Sequence, residues 1–94
     1  MTLEKLYTII EDRKKNMPKN SYVASLFREG NDRIIQKIGE EATEVVIAAK
    51  NEDKERVISE VADLWFHTLI LLSQKKISPS KILQELQKRH EKKA

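Results

Sequence analysis

Two short acidic motifs near the middle of the chain have the residue types and the spacing of a metal site. Glu41 and Glu44 are three positions apart, and so are Glu60 and Asp63. Residues three or four positions apart lie on one face of an α-helix, so each pair would point in one direction. Both pairs sit among apolar residues, where like charges repel and burial disfavours the ionised carboxylate. A hard cation that prefers oxygen ligands, Mg²⁺ above all, removes both costs.

The apolar pattern around these motifs predicts two consecutive helices that would position them. The first covers about residues 32–50, and the second covers about residues 53–75, after a turn at residues 51–53. Glu41 falls on the inward apolar stripe of the first helix. The second helix is apolar around most of its circumference and is therefore expected to be buried on every side. A chain of 94 residues could hardly bury it alone, so we expect it to pack also against a second subunit.

An antiparallel arrangement of these two helices would bring the acidic pairs together. With the turn centred near residue 52, Glu41 comes close to Asp63, and Glu44 comes close to Glu60. The sequence therefore predicts that four carboxylates face one another across a helical hairpin. Oxygen ligands alone favour Mg²⁺, with Mn²⁺ as a possible substitute.

A di-iron helical bundle is the nearest alternative for such a set of acids. It would require Glu-x-x-His motifs, which the chain does not contain. His67 lies four positions after Asp63. It either supports the acidic site or is a core histidine bonded to the backbone, and the sequence leaves both interpretations open.

The remaining chain predicts an all-α fold in a single domain over residues 1–94. An amphipathic helix is expected over residues 3–15, and a last helix runs from the Ser-Pro pair at 78–79 to about residue 89. The irregular stretch at residues 16–30 could contain a short helix. Short connections favour antiparallel neighbours, as in a four-helix bundle.

Composition and charge narrow the class of protein. Lysine and arginine exceed aspartate and glutamate by 18 to 15, a balance that suits an anionic ligand but does not demand nucleic acid. There is no cysteine, and no apolar segment is long enough for a bilayer or has the form of a signal peptide. We expect a cytoplasmic protein with no nucleic-acid or membrane partner.

Cations accompany the acids on the first of the two helices. Lys37 lies one turn before Glu40 and Glu41, and Arg33 lies one turn before Lys37. Because Mg²⁺ held by carboxylates usually takes further ligands from water and substrate phosphates, these cations fit a phosphate-rich ligand.

Several segments of the chain resemble the phosphoribosyl-ATP pyrophosphatases of histidine biosynthesis. The paired acidic motifs alone are shared with the wider group of MazG-like all-α nucleotide pyrophosphohydrolases. The Gln-Lys-x-Gly-Glu-Glu block and the Asp-Leu-x-Phe-His ending are more specific to the histidine-pathway family. The likeness covers nearly the whole chain in order, and it is carried by residues 21–22, 33–44, 48–51 and 60–67.

This resemblance implies a MazG-type fold that pairs subunits into a homodimer, and Mg²⁺-dependent hydrolysis of phosphoribosyl-ATP to phosphoribosyl-AMP and pyrophosphate. It implies that Mg²⁺ is held by Glu41, Glu44, Glu60 and Asp63. Glu40 and Glu41 would stand next to the chemistry, with Glu40 either orienting the attacking water or serving only a supporting or surface role. The expected contacts to the nucleotide substrate are Ser21, Tyr22, Arg33, Lys37, Lys50 and Asn51.

Other interpretations remain open for some of these residues and for the function. The three cations could be ordinary solvated side chains, and Asn51 could be only a helix C-cap. The same chemistry could act on common nucleoside triphosphates instead. A different class, a helical module that binds nucleic acid or a partner protein without catalysis, would leave the carboxylates structural.

Overall fold

A computed structural model describes residues 1–93, and its regular elements are all helices. In chain order they are α1 (Leu3–Asn16), α2 (Tyr22–Glu29), α3 (Asn31–Lys50), α4 (Lys54–Gln74) and α5 (Pro79–Lys93). The all-α prediction is confirmed, and four long helices and the short α2 lie where the sequence pattern places them.

Side-chain caps explain why several helices begin where they do. Thr2 accepts a hydrogen bond from the backbone N–H of Lys5, and Ser21 accepts one from the N–H of Ala24. Asp53 caps α4 in the same way. Each cap satisfies one backbone donor that the first turn leaves unpaired.

The last helix is longer than the sequence pattern predicted. We expected it to end near residue 89, whereas α5 continues to Lys93. Side-chain contacts one turn apart support this extension: Arg89 donates to Glu85, and Gln87 donates to Glu91. Such pairs stabilise an exposed helix by a few tenths of a kcal/mol each, about 0.2–0.5 kcal/mol.

The hydrophobic core joins the first four helices. Helices α3 and α4 form a packed antiparallel hairpin, and α1 and α2 close over one side of it. The fully buried side chains at the centre come from all four of these helices: Ile10, Leu26, Ile34 and Ile70. The core therefore fixes α2 against the α3–α4 hairpin, which is the arrangement that the site below depends on.

A partly buried polar cluster ties the end of α4 to α1. Ser73 is fully buried, and its hydroxyl donates to the Glu11 carboxylate at 2.8 Å. Lys14 donates to the Ser73 carbonyl at 2.7 Å and pairs with Glu11 at 3.1 Å. Burial alone would raise the pKa of Glu11, but the hydrogen bonds from Ser73 and Lys14 outweigh it and lower the pKa below its usual 4.5.

The outer side of α4 and the inner side of α5 expose apolar side chains. Ile58 and Trp65 of α4 are 66 % and 57 % exposed. Between α4, α5 and the start of α1 lies an apolar groove of about 640 Å³. Its α4 and α5 walls carry Leu64, Trp65, Leu69, Leu72, Ile82, Leu83 and Leu86. Within residues 1–93, no helix is both long and apolar enough to cross a membrane.

The Glu11 cluster predicts a defined pH dependence of stability. Because the folded pKa is lowered, ionised Glu11 stabilises the fold above about pH 4.5, and this contribution is lost as the pH falls through the lowered value. Because the Glu11 side chain is 40 % exposed, solvent screening weakens the effect, and Glu11→Gln should reduce the free energy of unfolding at pH 7 by about 0.5 kcal/mol. The difference from the parent should shrink towards zero at low pH, as measured by urea unfolding. Glu52→Gln, at an exposed turn position, is the control; a pH-independent effect of Glu11→Gln would contradict the prediction.

Candidate metal centre

Three carboxylates meet across the α3–α4 hairpin. One oxygen each from Glu41, Glu60 and Asp63 lies within 4.8 Å of the others. Glu41 is only 9 % exposed, Glu60 is partly buried, and Asp63 reaches solvent. The site is therefore anchored in the protein on the α3 side and open on the α4 side.

The fourth predicted ligand, Glu44, stands apart from this group of three. Its carboxylate lies 3.4 Å from the Arg56 guanidinium, which also approaches Glu60 at 3.9 Å. Glu44 and Glu60 are thus neighbours across the hairpin, as the predicted register requires. Their shared partner in this structure is an arginine.

Lys37 balances the acids from the α3 side. Its ammonium group lies 3.2 Å from Glu41 and 3.5 Å from Glu40. Burial alone would lower the pKa of Lys37. Its hydrogen bonds to Glu41 and Glu40 and the nearby charges outweigh burial and raise the pKa, so the side chain is protonated and positively charged at neutral pH. Arg33 approaches Glu40 at 3.6 Å and Glu29 at 3.9 Å. Glu40 is exposed and sits between the two cations, beside the carboxylate group but not in it.

Tyr22 and His67 form the boundary of the site on the α2 side. The Tyr22 hydroxyl is 2.7 Å from Nε2 of His67, and Nδ1 of His67 is 2.7 Å from the carbonyl oxygen of Asp63. Burial raises the pKa of Tyr22; Lys37 acts against this shift and Glu41 adds to it. The charged residues of the site therefore act on the pKa of the Tyr22 phenol.

The remaining predicted substrate residues have varied positions. Ser21 is the N-cap of α2, immediately before Tyr22. Lys50 and Asn51 are exposed at the far end of α3, and Asn51 ends the helix with its backbone N–H bonded to Ile47. Nine residues of helix separate Lys50 from Glu41, about 14 Å along the axis. The structure does not bring Lys50 and Asn51 to the carboxylates, and their substrate contacts stay predictions.

Arg56 was not among the predicted site residues, and the sequence left His67 open between a support of the acidic site and a core histidine bonded to the backbone. Arg56 carried a signal in its spacing, because it lies one turn before Glu60 on α4. His67 carried a similar signal, one turn after Asp63. Its bond to Tyr22 joins residues 45 positions apart and could not be derived from helical spacing.

The donor set fits a hard divalent cation. It consists of carboxylate oxygens from both helices, two of them withdrawn from solvent, and Mg²⁺ and Mn²⁺ prefer such oxygen ligands. Adjacent lysine and arginine side chains suit the phosphates of an anionic substrate. Fold and site together define a class: an all-α protein with a carboxylate cluster suited to metal-assisted phosphate chemistry.

Comparison with known proteins identifies the family within this class. Residues 3–90 match the family described as phosphoribosyl-ATP pyrophosphohydrolase. A phosphoribosyl-ATP pyrophosphatase of Clostridium acetobutylicum is 52 % identical over 96 % of this chain and 82 % of its own length. One of Leptospira biflexa is 52 % identical over 94 % of this chain and 96 % of its own length. The chain belongs to the phosphoribosyl-ATP pyrophosphohydrolase family of hydrolases, which confirms the resemblance drawn from its motifs.

The Lys37–Glu41 pair predicts a specific effect on stability. Both side chains are largely buried, so Lys37→Met would leave the Glu41 carboxylate without its closest cation. We expect a loss of about 1–3 kcal/mol in the free energy of unfolding, measured with urea in the presence of EDTA. Lys50→Met, at an exposed position on the same helix, should have almost no effect. Adding Glu41→Gln to Lys37→Met should recover part of the loss; equal stability of Lys37→Met and Lys50→Met would contradict the prediction.

Proposed function

We propose that this protein hydrolyses phosphoribosyl-ATP to phosphoribosyl-AMP and pyrophosphate in a Mg²⁺-dependent reaction, the second step of histidine biosynthesis. The observation that carries the proposal is the meeting of Glu41, Glu60 and Asp63 within 4.8 Å, in a chain that belongs to this family. Relatives named phosphoribosyl-ATP pyrophosphatase that are about half identical over nearly the whole chain support the choice of substrate.

Glu41, Glu60 and Asp63 would hold the metal, and Mn²⁺ is the expected substitute for Mg²⁺. Glu44 lies outside this group of three and pairs with Arg56, so its place among the ligands stays a prediction. When bound, the metal would neutralise part of the charge of the triphosphate and lower the pKa of water. The carboxylate oxygens of α3 and α4 fit this group because they are hard, anionic and already close together.

The cations of α3 would bind and orient the triphosphate. Lys37 and Arg33 lie on the same side of the helix as the acids and are bonded to Glu40, so a phosphate group could replace the Glu40 carboxylate as their partner. This exchange would free Glu40. An exposed carboxylate next to the reacting anhydride can orient a water molecule and accept its proton.

Each bond and proton of the proposed hydrolysis can be accounted for with water, the substrate and Glu40. The water oxygen forms a bond to a phosphorus of the α–β anhydride, and the bond from that phosphorus to the bridging oxygen breaks. The bridging oxygen takes the electron pair of the broken bond and stays on the other phosphorus, so pyrophosphate is released whichever of the two phosphorus atoms is attacked. The proton lost by water passes to Glu40 and then to solvent, which leaves phosphoribosyl-AMP as the second product.

The exposed apolar surface supports a homodimer. The radius of gyration is 14.8 Å, whereas a compact monomer of this length would have about 12 Å. The groove between α4 and α5 continues on α4 into a second apolar surface formed by Val57, Ile58, Val61, Ala62 and Trp65. A second copy would bury this surface, whose exposure is otherwise unfavourable.

The catalytic proposal predicts metal-dependent release of pyrophosphate. Turnover of phosphoribosyl-ATP should require Mg²⁺ and fall by at least about 100-fold in Glu41→Gln and in Asp63→Asn. Circular dichroism should show the helices intact, and calorimetric titration should show lost Mg²⁺ binding. Glu52→Gln, with the same chemical change at an exposed turn, serves as the control.

Two results would contradict this assignment. Full activity in either carboxylate variant would show that the cluster is not the metal site. Faster hydrolysis of common deoxynucleoside triphosphates than of phosphoribosyl-ATP, measured side by side, would reassign the substrate.

The dimer proposal predicts a change of mass on altering one side chain. Trp65→Glu places a charge in the apolar surface of α4 and should convert the protein to a monomer at micromolar concentration. Sedimentation equilibrium measures the mass directly. Asn20→Glu adds the same charge in the loop between α1 and α2 and should leave the dimer intact. A monomeric parent protein, or a Trp65→Glu variant that stays dimeric, would contradict the prediction.

A further inference from the structure

The bond between Tyr22 and His67 fixes the direction of a proton at the edge of the site. His67 is only 5 % exposed, and its two ring nitrogens each have one partner. The partner of Nδ1 is the carbonyl oxygen of Asp63, which can only accept a hydrogen bond, so Nδ1 must donate. In a neutral imidazole the other nitrogen is then an acceptor, and the partner of Nε2 is a hydroxyl that can donate.

This polarity determines what Tyr22 can offer to a ligand. Its single hydrogen points to the imidazole, so the phenolic oxygen can only accept from other partners. Phosphate oxygens also only accept, and they have nothing to donate to it. A hydroxyl or amino group of a ligand can donate a hydrogen bond to the phenolic oxygen.

Packing holds the phenol in this position. The Tyr22 ring is stacked near Phe66, with centroids 6.4 Å apart, and it meets the edge of the His67 ring at 5.7 Å. Tyr22 is nonetheless 48 % exposed, and Lys37 and Glu41 are near enough for their charges to act on the pKa of its phenol. A half-exposed aromatic ring with a fixed acceptor, next to cations that suit phosphates, is arranged to contact the part of a nucleotide beyond its phosphates.

We propose that Tyr22 is a specificity-determining residue that accepts a hydrogen bond from a hydroxyl or amino group of the substrate's nucleoside portion, and that His67 is the positioning residue that fixes this polarity by accepting the phenolic proton. The proposal rests on the proposed function, because it assumes a nucleotide substrate at the carboxylate cluster. It divides the site into a phosphate side, with Lys37 and Arg33, and a nucleoside side, with Tyr22.

The proton arrangement can be measured without turnover. The chain has two histidines, and His90→Gln removes the other one, which is exposed on α5. Long-range ¹H–¹⁵N spectra of ¹⁵N-labelled His90→Gln protein should show His67 protonated at Nδ1 and unprotonated at Nε2. Adding Tyr22→Phe should keep this tautomer and shift the Nε2 resonance towards that of a nitrogen without a hydrogen bond. A proton on Nε2 in the parent spectrum would overturn the proposal.

Binding of the separate parts of the substrate then tests the role of Tyr22. With Mg²⁺ present, Tyr22→Phe should weaken AMP binding roughly fivefold and leave pyrophosphate binding unchanged. Inosine monophosphate lacks the amino group, and 2′,3′-dideoxy-AMP lacks the hydroxyls. One of these two should bind the parent roughly fivefold more weakly than AMP and be insensitive to Tyr22→Phe, which identifies the donor. Weaker pyrophosphate binding, or equal sensitivity of all three nucleotides, would overturn the proposal.

Kinetics on phosphoribosyl-ATP separate positioning by His67 from a structural role. Tyr22→Phe and His67→Leu should each raise KM roughly fivefold with kcat within about twofold. The double variant should be no worse than either single one, because both remove the same interaction. His67→Gln keeps an acceptor for the phenolic proton, so its KM should lie closer to that of the parent protein than the KM of His67→Leu does. Additive losses, or a fall in kcat alone, would overturn the assignment.

The outcomes of these measurements distinguish a failure of the role given to Tyr22 from a failure of the proposed function. A protein that binds AMP as predicted but does not hydrolyse phosphoribosyl-ATP would refute the catalytic proposal only. A protein that hydrolyses phosphoribosyl-ATP with an Nε2-protonated His67 would refute only the role given to Tyr22.

Discussion

The closeness of three negative charges across the α3–α4 hairpin is the constraint that the surrounding structure satisfies. Glu41, Glu60 and Asp63 would repel one another if they stood alone in a partly buried position. Lys37 on one side and Arg56 on the other offset this repulsion with ion pairs at 3.2–3.9 Å. The position of each cation follows from the position of an acid one helical turn away on the same helix.

The sequence predicted the parts of this arrangement that depend on helical periodicity. Spacing alone places Glu41 and Glu44 on one face of α3, and the short turn sets the register against Glu60 and Asp63. Spacing does not determine which partner a long side chain selects. Glu44 pairs with Arg56 and lies outside the group formed by the other acids, so its rotamer follows the local charge balance rather than the repeat.

Contacts between distant segments were beyond the reach of the pattern. The irregular stretch before α3 showed no periodicity that would orient it, so the position of Tyr22 over the hairpin depends on the packing of α2 through Leu26 into the core. The bond to His67 follows from that packing. The apolar excess of α4 was visible in the sequence, whereas the groove that it forms with α5 requires the angle at which α5 leaves the turn after Gln74.

The internal ion pairs bear on when a metal can enter such a protein. A zinc finger remains unfolded until its metal arrives, because nothing else holds its ligands together. Here the acids already have lysine and arginine partners, and the core of α1–α4 does not pass through the acidic group. The packing that holds α1–α4 together therefore does not run through the acidic group. Binding of a cation to these carboxylates would then be an exchange of counter-ions on a scaffold that is already folded.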